Sequence, residues 1–282
     1  MNYKKQHFIS YGDDRPNAVS RIKKQAESFN TFSTIDVYFN NNIYDDEFKK
    51  KYSYVLNQKR GGGYWLWKYY LINKKIKEID DGEYIIYCDA GCELNNKGIK
   101  RYYEYLDMLK ESNYGFISFP LLWNKKKMPP PNKGFTDKNY TVRQLFDYLK
   151  IDINSEIAGT PQYVGGIQVI KKCPHSLKIL DEYRKVLEYD QKLITDFYNN
   201  KGQGFFFKEN RHDQSIWSLL RKKYGSIILK TDETFFYFVT PEIECIPRSD
   251  YKNVEEKYKY PFWATREREG RTYSKYWEGP KW

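Results

Sequence analysis

An α/β sandwich with a mixed, mostly parallel sheet is the fold this sequence predicts, and three observations predict it. Apolar runs of strand length alternate with helical stretches through the first 119 residues, the pattern of strand and helix units stacked in three layers. The run Tyr84-Ile85-Ile86-Tyr87-Cys88 is apolar without interruption, as in a central strand covered on both faces. A carboxylate, Asp89, then stands at that strand's carboxyl end, where such sheets gather their ligands.

The elements follow in order. Residues 7–12 read as the first strand, followed by a Gly-Asp-Asp-Arg-Pro turn and a helix over 17–29. A strand over 34–39 and a helical stretch over 44–56 come next. Arg60-Gly61-Gly62-Gly63 reads as a flexible approach to a helix starting near Tyr64. In that helix Trp65, Tyr69, Ile72, Ile76 and Ile79 make one apolar stripe, with Lys68 and Lys75 at its margin. A helix over 97–110 and a strand over 114–119 repeat the alternation. The stretch 120–139, with runs of three lysines and three prolines, is an extended excursion. Thr141-Val142-Arg143-Gln144 has capping-box spacing for a helix ending at Leu149. A strand at 163–171, helical segments over 176–198, a helix over 213–224 closed by Gly225, and short strands at 226–230 and 235–239 complete a domain of residues 1–246. Residues 247–282, aromatic and charged without a period, form an appended arm.

Composition narrows the class. With 40% hydrophobic and 18% aromatic residues in 282 the chain can bury a full core, which excludes a disordered protein. The 48 basic against 37 acidic side chains leave +11, suited to a polyanionic partner: nucleic acid, an acidic membrane face or a diphosphate. No apolar stretch approaches the ~18 residues of a membrane span, and no signal-peptide pattern follows Met1, so a cytoplasmic protein is expected. Cys88, Cys92, Cys173 and Cys245 show no CxxC pair, so reduced thiols and no zinc site are expected.

The candidate site residues each admit two readings. Asp89 is a metal or ligand contact, or the cap of the Asp-Ala-Gly turn. Lys68, on the helix that feeds the Asp89 strand, and Arg60 are long cations able to reach a phosphate, or solvated surface charges. Gly61-Gly62-Gly63 is not GxGxxG, since Leu66 stands where the last glycine belongs, and reads equally as a hinge. His212-Asp213-Gln214 opens a helix that Asp213 is placed to N-cap, while the imidazole and amide add groups for a metal or sugar hydroxyls. Gly165-Gly166 within a strand marks close approach to a ligand, or a bulge.

Together, Arg60-Gly-Gly-Gly-Tyr-Trp-Leu-Trp-Lys68, Tyr87-Cys-Asp-Ala-Gly-Cys-Glu-Leu94, Gly165-Gly-Ile-Gln-Val-Ile-Lys-Lys172 and Arg211-His-Asp-Gln-Ser-Ile-Trp217 resemble the nucleotide-diphospho-sugar transferase superfamily. The set is similar to bacterial and large-virus glycosyltransferases of glycan assembly, over about residues 5 to 240. The resemblance implies a GT-A, Rossmann-like fold, a nucleotide sugar donor, most often UDP-linked, and Mn2+ or Mg2+. It places Asp89 at the first Asp of the DxD motif, and Ser10, Tyr11 and Gly12 at the loop that holds base and ribose. It places Lys68 at a donor-phosphate contact, and His212, Asp213 and Gln214 at the donor sugar and acceptor; Arg60, Gly165 and Gly166, from the reading of the residues themselves, are the further expected donor contacts. Gly91 stands where the second DxD carboxylate belongs, leaving Glu93 and His212 as candidate second ligands. Asp213 is the expected sugar-side carboxylate, and the Asp-Gln segment favours retention.

A glycan or lipid-linked acceptor is expected, with the arm either on the membrane face or as a lid over the donor. The main rival is a non-enzymatic nucleic-acid or polyanion binder, which the +11 charge and the aromatic arm suit but which leaves Asp89 and His212-Asp213-Gln214 without a role. A nucleotidyltransferase would want more acidic metal ligands.

Overall fold

The computed structural model describes residues 3–13, 15–40, 42–121, 135–234 and 259–265. Among these the strands are β1 (Gln6–Gly12), β2 (Thr34–Phe39), β3 (Tyr84–Asp89), β4 (Glu93–Leu94), β5 (Phe116–Ser118), β6 (Ile167–Lys171), β7 (Ile227–Ile228) and β8 (Phe262–Trp263). Six of them form one sheet in the order β2-β1-β3-β6-β5-β7, and β4 pairs with β8 in a separate ribbon. The β1–β2, β1–β3 and β5–β7 pairs are parallel, while β6 runs against both its neighbours. The sheet is therefore mixed, with one reversed strand in its middle.

Alternation along β3 explains the layering. Ile85 and Tyr87 join the core on one face, and Tyr84, Ile86 and Cys88 join the core on the other, as a period of two requires. The first face is covered by the helices Leu66–Glu78, Pro174–Tyr189 and Asp213–Tyr224, the second by Pro16–Phe29 and Ile99–Glu111. Pro16 begins its helix at a position that needs no N–H, and Asn30 ends it in the left-handed region with φ 52°. This is a Rossmann-like α/β/α sandwich, and it carries the carboxyl ends of β1 and β3 side by side, Tyr11 opposite Asp89.

Several local expectations are corrected. The Gly61–Gly63 run is not a flexible approach: residues 61 to 65 all have positive φ, from 49° to 89°, and Tyr64 N and Trp65 N donate to Arg60 O and Gly61 O. It is a left-handed turn, a form that costs side-chain-bearing residues about 1–2 kcal/mol each, which is why glycine fills most of it. Trp65 thus sits before the helix Leu66–Glu78, and the stripe continues with Tyr69, Ile72 and Ile76. The capping box at Thr141 does not form. Val142 precedes the helix Arg143–Leu149 without a side-chain cap, because the buried Thr141 hydroxyl is engaged with Asp137 and Gln162. Gly165 and Gly166 precede β6 instead of lying within a strand. Of the excursion 120–139, residues 122–134 lie outside the described residues, as do the strand expected at 235–239, Cys245, and the arm apart from 259–265.

That described part of the arm is packed into the molecule. Phe262 and Trp263 are buried and pair with Leu94 and Glu93. Asn95 donates to Tyr260 O, and Gly98 is approached so closely that a Cβ would lie 2.4 Å from Pro261 N. Trp263→Ala should therefore lower stability by about 3–5 kcal/mol, measured by urea denaturation; a loss below about 1 kcal/mol would mean that this segment is not part of the core.

Candidate active site

Asp89 is the last residue of β3, and its side chain is 33% exposed where the rest of the strand is buried. Its Oδ1 accepts from the Tyr87 hydroxyl at 2.8 Å and lies 3.4 Å from Lys68 Nζ. Tyr87 in turn accepts from Trp67 Nε1 at 3.1 Å. The turn that follows is closed by backbone, Cys92 N donating to Asp89 O at 2.8 Å, so the carboxylate is not needed as its cap. Arg21 holds the same turn through Ala90 O and Cys92 O, and Thr265 through Gly91 O. Asp89 Oδ2 has no hydrogen-bond partner among the described residues and lies over Gly166, where a Cβ would come within 2.7 Å of it.

Lys68 is no surface charge: its side chain is 2% exposed, and its ammonium lies between Asp89 and Asp213, 2.7 Å from Asp213 Oδ2. Burial opposes its charge, but the two carboxylates outweigh that and raise its pKa. Asp213 is not the N-cap. His212 occupies that position without a side-chain cap, and Asp213 is the first residue of the helix Asp213–Tyr224, where the helix dipole favours a carboxylate. Burial pushes the Asp213 carboxyl up to about 6, with Asp89 adding to the shift and Lys68 opposing it. The site is therefore a buried cation clamped by two carboxylates, one of which offers an oxygen to the outside.

The glycines before β6 make this approach close. A Cβ on Gly165 would fall 2.9 Å from Gln214 Cβ, and Gly165 N donates to Gln214 Oε1 at 3.1 Å. Gln214 Nε2 donates to Gln162 Oε1, so both ends of its amide are engaged. Behind them Arg221, wholly buried, donates to Trp217 O, Ile117 O and Val164 O, and burial lowers its pKa to about 10.

No family model matches the chain, and no curated protein matches it in sequence. Among solved structures it is similar to a glycosyltransferase involved in the glycosylation of the major capsid of PBCV-1, with 10% identity over 96% of each chain and a TM-score of 0.45. It is similar to mouse xyloside xylosyltransferase 1 in its apo form, with 12% identity over 93% of this chain and 97% of that one and a TM-score of 0.43. It is also similar to the apo-form glycosyltransferase GlyE of Streptococcus pneumoniae TIGR4, with 12% identity over 98% of this chain and 60% of that one and a TM-score of 0.40. At likenesses this distant, the chemistry of this chain rests on its own side chains.

The remaining expected residues divide. Tyr11 is buried with its ring 4.6 Å from Trp67 and its hydroxyl donating to Asp13, and Gly12 closes β1, where a Cβ would meet Val19 and Ala90. Ser10 does not reach the strand end: it lies wholly buried between Val37 and Cys88. Glu93 is buried in the β4–β8 ribbon. His212 is turned to Asp196, with Nε2 3.0 Å from Oδ1, and packs, its ring tilted, against Tyr64 and Trp65 at 4.9 and 5.2 Å. Arg60 and the Tyr64 hydroxyl reach the other oxygen of Asp196. Burial opposes the charge of Asp196, yet the bond to His212, with Tyr64 and Arg60, lowers its pKa. His212 has φ 55° and ψ −122°, so it joins Tyr64 and Trp65 as a third strained residue in one ring cluster, the clustering typical of functional sites.

Two expectations follow. Lys68→Met strands the buried Asp213 carboxylate and should cost about 3–5 kcal/mol at pH 8, a deficit that narrows near pH 5, where Asp213 takes a proton; denaturation at both pH values checks this, and an equal deficit would contradict it. Burial lowers the His212 pKa to about 4, so between about 6.5 and 4 the unfolded chain binds a proton that the folded one refuses. His212 thus contributes fully above pH 6.5, and up to ~3 kcal/mol is lost as pH falls toward 4. His212→Gln should flatten the acid limb of stability against pH, whereas parallel limbs would place the imidazole in water.

Proposed function

We propose that this protein transfers a sugar from a nucleotide diphosphate donor, a UDP-sugar by preference, to a glycan or lipid-linked acceptor. The observation that carries the reading is the single open oxygen of Asp89, set at the carboxyl end of β3 and backed by a buried ammonium. Cleaving a sugar from a diphosphate requires an electrostatic partner for the charge that grows on the leaving group. The carboxyl ends of β1 and β3 are where an open sheet receives such a ligand.

A hard divalent cation fits this site as a ternary partner. Among the described residues no group of three or more His, Cys, Asp or Glu gathers into a metal cage, with Glu93 buried elsewhere and His212 held by Asp196. Mg2+ and Mn2+, however, commonly bind through one or two carboxylates with water and substrate phosphates completing the shell. Asp89 Oδ2 would hold the ion, which when bound supplies charge neutralisation at the diphosphate. Lys68 and Tyr87 fix the orientation of Asp89 by occupying its other oxygen. Asp213 anchors Lys68, and its neighbour Gln214 holds the backbone of Gly165. His212, next to Asp213 in the chain and packed on Tyr64 and Trp65, is the group we assign to the sugar side. The anomeric configuration of the product checks the retaining course expected from the Asp-Gln segment.

A panel of nucleotide sugars with and without Mn2+ should stabilise the protein selectively, by about 2.7 kcal/mol at a hundredfold excess over Kd. Asp89→Asn should abolish the metal-linked part and lower kcat/KM roughly 100- to 1000-fold. Stabilisation by oligonucleotides alone, with Asp89→Asn silent, would replace this reading with that of a polyanion binder.

A further inference from the structure

We propose that the loop carrying Phe205 and Phe206 docks the protein onto an anionic lipid surface. Phe205 is 97% exposed and Phe206 56%, and their rings are in contact with centroids 5.5 Å apart. Two adjacent phenyl rings held in water are unfavourable for a folded chain, and exposed apolar groups of this kind mark interaction sites.

The display is built, because the backbone beneath the rings is fastened. Phe207 N donates to Gly204 O at 2.9 Å, closing the turn, and Asn139 Nδ2 donates to Phe206 O at 2.7 Å. Gln203 Nε2 lies 2.8 Å from both Gln144 Oε1 and Tyr198 O. Phe207 packs against the core while its two predecessors point away from it.

The charge beside Phe206, and beside Phe197 eight residues before Phe205 in the chain, selects the partner. Lys138 Nζ stands 5.2 Å from the Phe206 ring centroid, and Lys192 and Lys201 stand 4.5 and 3.3 Å from that of the exposed Phe197. None of these three lysines has a carboxylate partner among the described residues. Of the acids nearby, Asp196 is matched by Arg60 at 2.7 Å and Glu209 by Arg211 at 2.9 Å, while Asp190 accepts from the Tyr198 hydroxyl at 2.6 Å. What remains toward solvent is aromatic and cationic, the combination that enters the headgroup boundary of an acidic leaflet. A glycan chain would call for a flat stacking platform, whereas the Phe205 and Phe206 rings stand at 78° to each other. The same segment runs on through Arg211 to His212 and Asp213, so docking would hold the candidate site near the lipid surface. The inference does not require glycosyl transfer to be the reaction.

The test is co-sedimentation of the full chain with vesicles of phosphatidylcholine, alone and mixed with phosphatidylserine. The mixed vesicles should bind the protein more strongly, and Phe205→Ser with Phe206→Ser should reduce partitioning roughly tenfold or more without moving the thermal melt. Lys192→Gln with Lys201→Gln should remove the preference for phosphatidylserine. Unchanged partitioning in the aromatic variant would overturn the proposal, as would failure of the unaltered protein to bind mixed vesicles. Retention on a soluble polysaccharide, lost in the aromatic variant while vesicles go unbound, would assign the patch to a glycan instead.

Discussion

A single ammonium group inside the protein organises the candidate site. Lys68 Nζ is out of water, and a charge so placed is tolerated only where opposite charges and hydrogen bonds replace its hydration. Asp213 and Asp89 supply that replacement from two different layers, one at the first turn of a helix and the other at the tip of the central strand. Each element that meets there is fixed by this demand. The helix carrying Lys68 must enter at the right angle, the helix of Asp213 must begin next to it, and the backbone before β6 must come close enough to leave no gap.

Local strain and missing side chains serve the same end. The left-handed turn at 61–65 launches the Lys68 helix and turns Trp65 and Tyr64 onto His212. Gly165 and Gly166 lack the Cβ atoms that would collide with Gln214 and Asp89. Arg221 reaches from the same helix as Asp213 to the carbonyls of Val164 and Ile117, tying the glycine pair to the sheet with no carboxylate in the bond set. The arm residue Thr265 reaches the turn after Asp89. The site is thus held by distant parts of the chain, and the strain at Tyr64, Trp65 and His212 is maintained by their mutual packing.

How much of this was legible in the sequence depends on the range of the interaction. The sandwich was readable because the apolar run at 84–88 and the alternation around it are local patterns, and the position of Asp89 followed from them. Tyr87 shares a strand face with Asp89, two residues away, and the same alternation would have found it. Lys68 sat in view at the edge of a helical stripe, yet its burial depends on Asp213, 145 residues later, which no periodicity reports. Asp196 carries no motif at all and is identified only by His212, Arg60 and Tyr64 converging on it. The glycine run gave flexibility and a left-handed turn the same spelling, and only backbone angles separate them. Asp213 as an N-cap and Thr141 in a capping box were reasonable local readings that lost to buried partners elsewhere, because a buried charge or hydroxyl outweighs the ~1 kcal/mol of a cap.

The most direct measurement is a double-mutant cycle between Lys68 and Asp213, with Lys68→Met, Asp213→Asn and the pair compared by chemical denaturation at pH 8. A buried, bonded ion pair gives a coupling energy of about 1–3 kcal/mol, the double variant being less destabilised than the sum of the singles. Additivity to within about 0.5 kcal/mol would show the two side chains to be independent, and the clamp on which the site is built would not exist.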